Sequence, residues 1–245
     1  EQIDAQIKAK QTVEAQVKDL QGKIEKLKKL LVITEGKTDI KHIKKAQEKL
    51  GIIDVDFEQI DENKQPEGES NLKTLLEQLS KISHANKIIG LFDRDQDSTI
   101  RDIERNHQDY KNYGNNVYAF CIPVPQFRID KGQTKISIEY LYTDDEIKTP
   151  LENGCRLFFG TEFTRQSMRH NIDEDLILSK PDGKGKDKII ENNGSQAVFD
   201  KDDQNVLAKK DDFAEAILHD KVQISVQSWE NFRPIFDKIK EICKL

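Results

Sequence analysis

Cysteine is scarce in this chain. Cys121, Cys155 and Cys243 are odd in number, far apart and form no C-x-x-C pair, which excludes a disulfide framework or a zinc knuckle and predicts an intracellular, cytoplasmic protein. Long apolar runs are missing too. No stretch approaches the ~18 apolar residues of a membrane span and no signal-type segment precedes the first element, so no membrane partner is expected. Positive charge is not in excess. With 39 Lys and Arg against 45 Asp and Glu, the net charge of −6 excludes a uniformly basic surface and leaves room only for a local basic path to a polyanion. The only methionine is Met168 and the sequence opens on Glu1, so a piece of a longer protein is expected.

What is present is enough for one sizeable core, since 36% of the 245 residues are hydrophobic. Residues 1–29 are free of proline and rich in helix formers. Val17, Leu20, Ile24, Leu27 and Leu31 recur at three and four residues, predicting an amphipathic linker or coiled-coil helix and, through it, a homo-oligomer. Residues 30–150 read as an α/β core. Leu30–Ile33 is a buried strand, Lys41–Leu50 a helix closed by Gly51, and Ile52–Ile60 a second strand. After the polar loop 61–70, a helix capped by Ser70 or Asn71 carries Leu72, Leu75, Leu76, Leu79 and Ile82, and Ile88–Phe92 is the third strand. Strand, helix, strand, helix, strand predicts a parallel sheet. Thr99–Tyr113 reads as polar helix and Val117–Val124 as a fourth buried strand stopped by Pro123 and Pro125. Residues 151–245 form a C-terminal extension, with a short strand or hairpin at Cys155–Phe159, a helix opening at Asp211 or Asp212, and a terminal helix over Trp229–Ile242.

Both apolar strands end in carboxylates. Leu30–Asp39 reads LLVITEGKTD and Lys87–Asp97 reads KIIGLFDRDQD. Ligands of an open parallel sheet bind outside the carboxyl ends of its strands, so Glu35, Asp39, Asp93 and Asp95 are expected around one crevice. Acids so gathered repel unless a hard divalent cation neutralises them, although acids after a strand also serve as helix caps and turn formers.

The motifs EGKTD at Glu35–Asp39 and DRD at Asp93–Asp95 resemble those of the TOPRIM domain, in particular of the OLD-family endonucleases. At the level of pattern the resemblance spans roughly residues 30–218, and only the two acidic motifs are sharp. It implies a TOPRIM, Rossmann-like parallel sheet flanked by helices and a DNA nuclease, with RNA the other polymer. Glu35, Asp39, Asp93 and Asp95 would hold Mg²⁺ or Mn²⁺, with Glu35, Asp93 and Asp95 catalytic. OLD-like nucleases have a Ser or Glu soon after the last core strand for a second metal position, which Ser137 and Glu139 resemble. Glu139 reads equally well as the polar face of an amphipathic helix whose core face is Ile138, Leu141 and Tyr142. A lysine of the pattern K-x-x-F-A serves the reaction in that family. Lys210 matches it, with Lys209 or a lysine of 180–188 as alternatives. The resemblance also implies an ABC-type ATPase partner, fused upstream or separate, and a role in bacterial anti-phage defence, although nothing in the chain resembles that ATPase.

Lys37, Arg94, Arg165 and Arg169, with His170 beside them, are the candidate nucleic-acid contacts, against the plainer reading of scattered surface bases. Lys180–Lys188, KPDGKGKDK, lacks the GxxxxGK[ST] spacing of a phosphate-binding loop and offers only flexible positive charge. The rival function is a regulatory or scaffolding TOPRIM domain that binds a cation and mediates assembly without cutting.

Overall fold

The computed structural model describes residues 17, 29–59, 67–105, 108–172, 175–180, 188–192 and 194–244. The helix expected over residues 1–29 lies outside these, apart from Val17 and Lys29. Strand β1 (Leu30–Thr34) leads into α1 (Lys37–Lys49), β2 (Phe57–Gln59), α2 (Glu69–Leu79) and β3 (Ile88–Phe92). There follow α3 (Asp97–Ile103), β4 (Lys111–Gly114), β5 (Val117–Cys121), α4 (Gln126–Asp130), a 3₁₀ turn at Ile138–Leu141 and α5 (Asp144–Ile147). The extension adds a 3₁₀ turn at Gly160–Glu162, β6 (Ile177–Leu178), β7 (Val198–Phe199), α6 (Lys210–Leu218), α7 (Val226–Glu230) and α8 (Arg233–Lys244).

The main sheet has the order β2-β1-β3-β5-β4, with β2, β1, β3 and β5 parallel and β4 antiparallel to β5. This is a mixed α/β fold whose mostly parallel sheet is covered on both faces. Strand alternation divides the core. Val32, Ile89, Leu91 and Phe120 pack on one face with α1, α6 and α8, while Ile33, Ile88, Phe92, Val117 and Cys121 pack on the other with α2 and α3. Gly90 is glycine for a reason of space: a Cβ there would collide with Cδ1 of Leu76.

Several local expectations are corrected. The second strand shortens to β2, which meets only one neighbour at the sheet edge. Polar Thr99–Tyr113 divides into α3 and β4, because Asn115 (φ 50°) and Asn116 (φ 65°) make a two-residue hairpin turn that pairs KNYG with β5. Helix α2 starts at Glu69 and stops at Leu79, leaving Ile82 exposed. Cys155–Phe159 forms isolated bridges, Arg156 with Leu207 and Phe159 with Ile189, in place of a hairpin. The terminal helix is two, α7 and α8, and the segment docks through Phe232, Ile235, Phe236 and Ile239 as expected.

Candidate functional site

Helix α6 lies along α1, joined by a ladder of ion pairs. Lys37 and Lys41 reach Asp211, Lys41 also reaches Glu215, and Lys45 and Lys49 reach Asp220. Because the partners advance together along both helices, the two run in the same direction. The ladder therefore sets Lys210, the first residue of α6, beside the start of α1 and its Asp39, at the carboxyl edge of β1.

At that edge Gly36 exits β1 in an extended conformation, and its N–H donates to Oδ2 of Asp39 at 3.1 Å. Asp39 thus caps α1 and does not line the cleft described below. Glu35 turns toward the neighbouring strand, where its Oε1 accepts from the Asp93 N–H at 2.9 Å. Asp93 in turn accepts from the Ile138 N–H at 3.1 Å through Oδ1. A two-way backbone bridge between Arg94 and Ile136, at 2.8 and 2.9 Å, fixes the segment that begins the 3₁₀ turn against the end of β3.

That turn corrects the solvent-face reading of Glu139, which is 1% exposed. Its Oε2 accepts from the Ser137 hydroxyl at 2.5 Å and from Lys210 Nζ at 3.1 Å. Arg128, fully buried, holds the same turn. Its Nε donates to the Tyr140 carbonyl at 2.9 Å, its Nη2 to the Tyr142 carbonyl at 2.6 Å, and its Nη1 to Gln133 and Asp144. Tyr140 then receives the Ile189 N–H on its hydroxyl at 3.1 Å.

Crowding shows in the electrostatics. Burial, then the charges of Asp39, Asp95 and Glu69, push the Glu35 carboxyl up to about 8, against the hydrogen bond from Asp93. Asp39 is pushed up to about 6 by burial and by Glu139, and Asp93 well above the usual range by burial and by Asp39. Glu139 alone of these is held below the usual range: burial opposes its charge, but Lys210 and the Ser137 hydroxyl outweigh it. Lys210 is held above its ordinary value, since Glu139 and Asp93 outweigh its own desolvation. His42 stands in the same field. Its Nδ1 meets the Tyr142 hydroxyl at 2.9 Å, its buried Nε2 has no hydrogen-bond partner, and burial drives it down to about 4.

A small cleft of about 60 Å³ opens over this arrangement, lined by Asp93, Asp95, Ser137, Lys188, Glu191 and Lys210, with Lys135 at its side. Lys188 pairs with Asp95 at 2.8 Å and Lys135 with Asp97 at 2.6 Å. The sequence reading missed Lys135, Glu191, His42 and Arg128. None of them belongs to a local motif, and only the long-range packing reveals them. Of the expected nucleic-acid contacts, Lys37 is exposed and 3.8 Å from Asp211. Arg94 is turned away into a two-pronged pair with Glu104. Arg165 and Arg169 are exposed on the extension and do not line the cleft, while His170 closes on Glu162 at 3.2 Å.

Carboxylate oxygens are the ligands preferred by Mg²⁺ and Mn²⁺, and of Glu35, Asp39, Asp93, Asp95 and Glu139 only Asp93 and Asp95 line the cleft, while burial and neighbouring acids raise Glu35, Asp39 and Asp93. Among the described residues, no group of three or more His, Cys, Asp or Glu side chains is drawn together as a ready-made metal site. Among them, too, no helix is long and apolar enough to cross a membrane. Compared with known proteins, the chain matches no family model, no curated protein and no solved structure.

Proposed function

We propose that this chain is a divalent-metal-dependent nuclease of the TOPRIM type, similar to the catalytic part of OLD-family endonucleases, hydrolysing phosphodiester bonds of DNA. The observation that carries the reading is the 2.9 Å contact between Glu35 Oε1 and the Asp93 N–H, which joins the two acidic motifs at the carboxyl ends of adjacent parallel strands. Glu139 and Lys210, matched on weaker grounds, arrive at the same place from distant chain segments.

Glu35, Asp39, Asp93, Asp95 and Glu139 would hold the Mg²⁺ or Mn²⁺. When bound, such ions activate a water and stabilise charge on a phosphodiester. The chain's own residues supply the rest. Lys210, a cation fixed on Glu139 and near Asp93, would stabilise negative charge developing on the phosphate. The Asp93 and Ile138 backbone contacts keep the carboxylates oriented, so little reorganisation is needed when substrate arrives. An ABC-type ATPase, fused or separate, and a role in anti-phage defence belong to the same proposal through the family resemblance.

The second reading, a regulatory TOPRIM domain that does not cut, is favoured by one feature: the acids already serve the protein, Asp39 as a cap of α1 and Asp95 in its pair with Lys188. Cleavage of supercoiled plasmid, linear DNA and structured RNA in Mg²⁺, Mn²⁺ or EDTA, beside Glu35→Gln, separates the two. Metal-dependent cutting that the variant loses supports the nuclease. If no polymer is cut, even with the partner ATPase added, the regulatory reading takes its place.

A further inference from the structure

Three lysines surround the cleft, and they are not held alike. Lys210 is locked: its partner Glu139 is 1% exposed, so releasing the pair would strand a buried carboxylate. Lys188 and Asp95 are 29% and 30% exposed, and Lys135 and Asp97 are 50% and 59% exposed. Pairs in contact with water contribute little, so an incoming anion can take over either lysine at small cost.

Both of these lysines hang from fixed backbone. Lys135 directly precedes Ile136, which is bridged both ways to Arg94 at the end of β3. The carbonyl of Lys188 accepts from the Gly160 N–H at 2.9 Å, and the next residue donates its N–H to the Tyr140 hydroxyl. The two ammonium groups therefore reach the cleft from separate chain segments, each beside a carboxylate of the Asp93–Asp97 stretch. Arg94 cannot share this duty while it is clamped on Glu104.

We propose that Lys135 and Lys188 are the backbone-phosphate contacts of the substrate strand, exchanging their pairs with Asp97 and Asp95 for phosphate oxygens when a polynucleotide enters the cleft. This rests on the nuclease reading above and adds to it the path of the strand, in the place that Arg94, Arg165 and Arg169 were expected to fill. As point charges on flexible stems, the lysines would hold phosphates without reading bases. The exchange also frees Asp95 of its lysine as substrate arrives.

The test is a salt titration of binding, by fluorescence anisotropy, of a labelled single strand and its duplex in EDTA and in Ca²⁺. The proteins are the wild type, Lys135→Met, Lys188→Met, the double variant and Lys188→Arg, with Lys81→Met in the exposed turn after α2 as control. Each Met substitution should weaken binding several-fold and lower the log–log salt slope by about 0.7–0.9, the double variant by about twice that. Lys188→Arg should restore the slope, and Lys81→Met should leave it unchanged. If the wild type binds or cuts nucleic acid while both Met variants keep its slope, this inference falls and the nuclease reading stands. If the wild type neither binds nor cuts any polymer, both fall together.

Discussion

Lys210 Nζ lies 3.1 Å from Oε2 of Glu139, a pair that joins the first residue of α6 to a 3₁₀ turn 71 residues earlier. The carboxylate is almost wholly buried, so the pair is a structural commitment as well as a feature of the site.

Removing the lysine alone should therefore be costly. Lys210→Met leaves the Glu139 charge buried without its counter-ion, a loss of about 3–5 kcal/mol for a pair of this kind. Lys210→Met with Glu139→Gln should recover much of that stability while remaining inactive in cleavage. Urea midpoints of the two singles and the double give the coupling, and a coupling near zero would mean that the pair is not made in solution.

This pair also marks where the sequence stops being readable. The apolar runs of β1 and β3 with acids at their ends, the helix of Leu72 and Leu76, and the alternation of strand and helix are local patterns, and the fold keeps them. Glu139 is ambiguous locally, because spacing within Ile136–Asp145 fits a half-exposed helix as well as a buried turn. What decides it is Lys210 and Arg128, both remote or unmarked in sequence. Strand β4 is hidden for a similar reason: KNYG has the composition of a loop and becomes strand only because β5 offers it an edge. Arg94 reads as a free cation from its motif, and only the position of Glu104, directly after the last residue of α3, removes it from the cleft.

Arg128 should tolerate no replacement, lysine included. Its guanidinium serves the Tyr140 and Tyr142 carbonyls and Asp144 at once, which a single ammonium cannot match. Arg128→Lys and Arg128→Met should each lower stability by about 3 kcal/mol or more, since buried acceptors lose their donors. A urea midpoint for Arg128→Lys equal to that of the wild type would remove Arg128 from its role as the holder of this turn.

Acid should act through His42. Its folded-state value near 4 is below the ordinary 6.5, so the unfolded chain takes up the proton first and stability falls as pH drops from about 6.5 toward 4. The groups around it fix the sign: burial among Tyr142 and Phe213 dominates, with Lys210 and Lys41 adding to it and Glu139 opposing. The full effect is about 3 kcal/mol at the lower limit. His42→Gln should flatten that part of the curve of urea midpoint against pH, and an unchanged slope in the variant would show that His42 is not the group that titrates.

Gly90 and Leu76 should behave as one unit. Gly90→Ala places a methyl against the Leu76 side chain at the centre of the α2 face and should cost about 1–3 kcal/mol. Leu76→Ala removes a buried side chain and should cost about 2–5 kcal/mol alone. Together they should cost less than the sum, because the cavity of one admits the methyl of the other. Strict additivity in thermal melts would contradict the close approach of α2 to β3.

Divalent cations should stabilise the folded chain whether or not any substrate is present. Glu35, Asp39 and Asp93 carry raised values because burial and mutual repulsion disfavour their charged forms, and a cation among them relieves both. A ligand that binds only the folded state at a hundredfold excess over its Kd adds about 2.7 kcal/mol, which for a chain of this size is a rise of roughly 5–10 °C in Tm. Mn²⁺ should raise the Tm of the wild type and EDTA should reverse it. Glu35→Gln and Asp93→Asn should lose most of the rise while their metal-free Tm stays near that of the wild type, since both carboxyls are already raised toward their neutral forms and the amide oxygen at residue 35 can still accept from the Asp93 N–H. An equal Mn²⁺ response in Glu35→Gln and the wild type would place the cation elsewhere and leave the two acidic motifs as caps and turn formers.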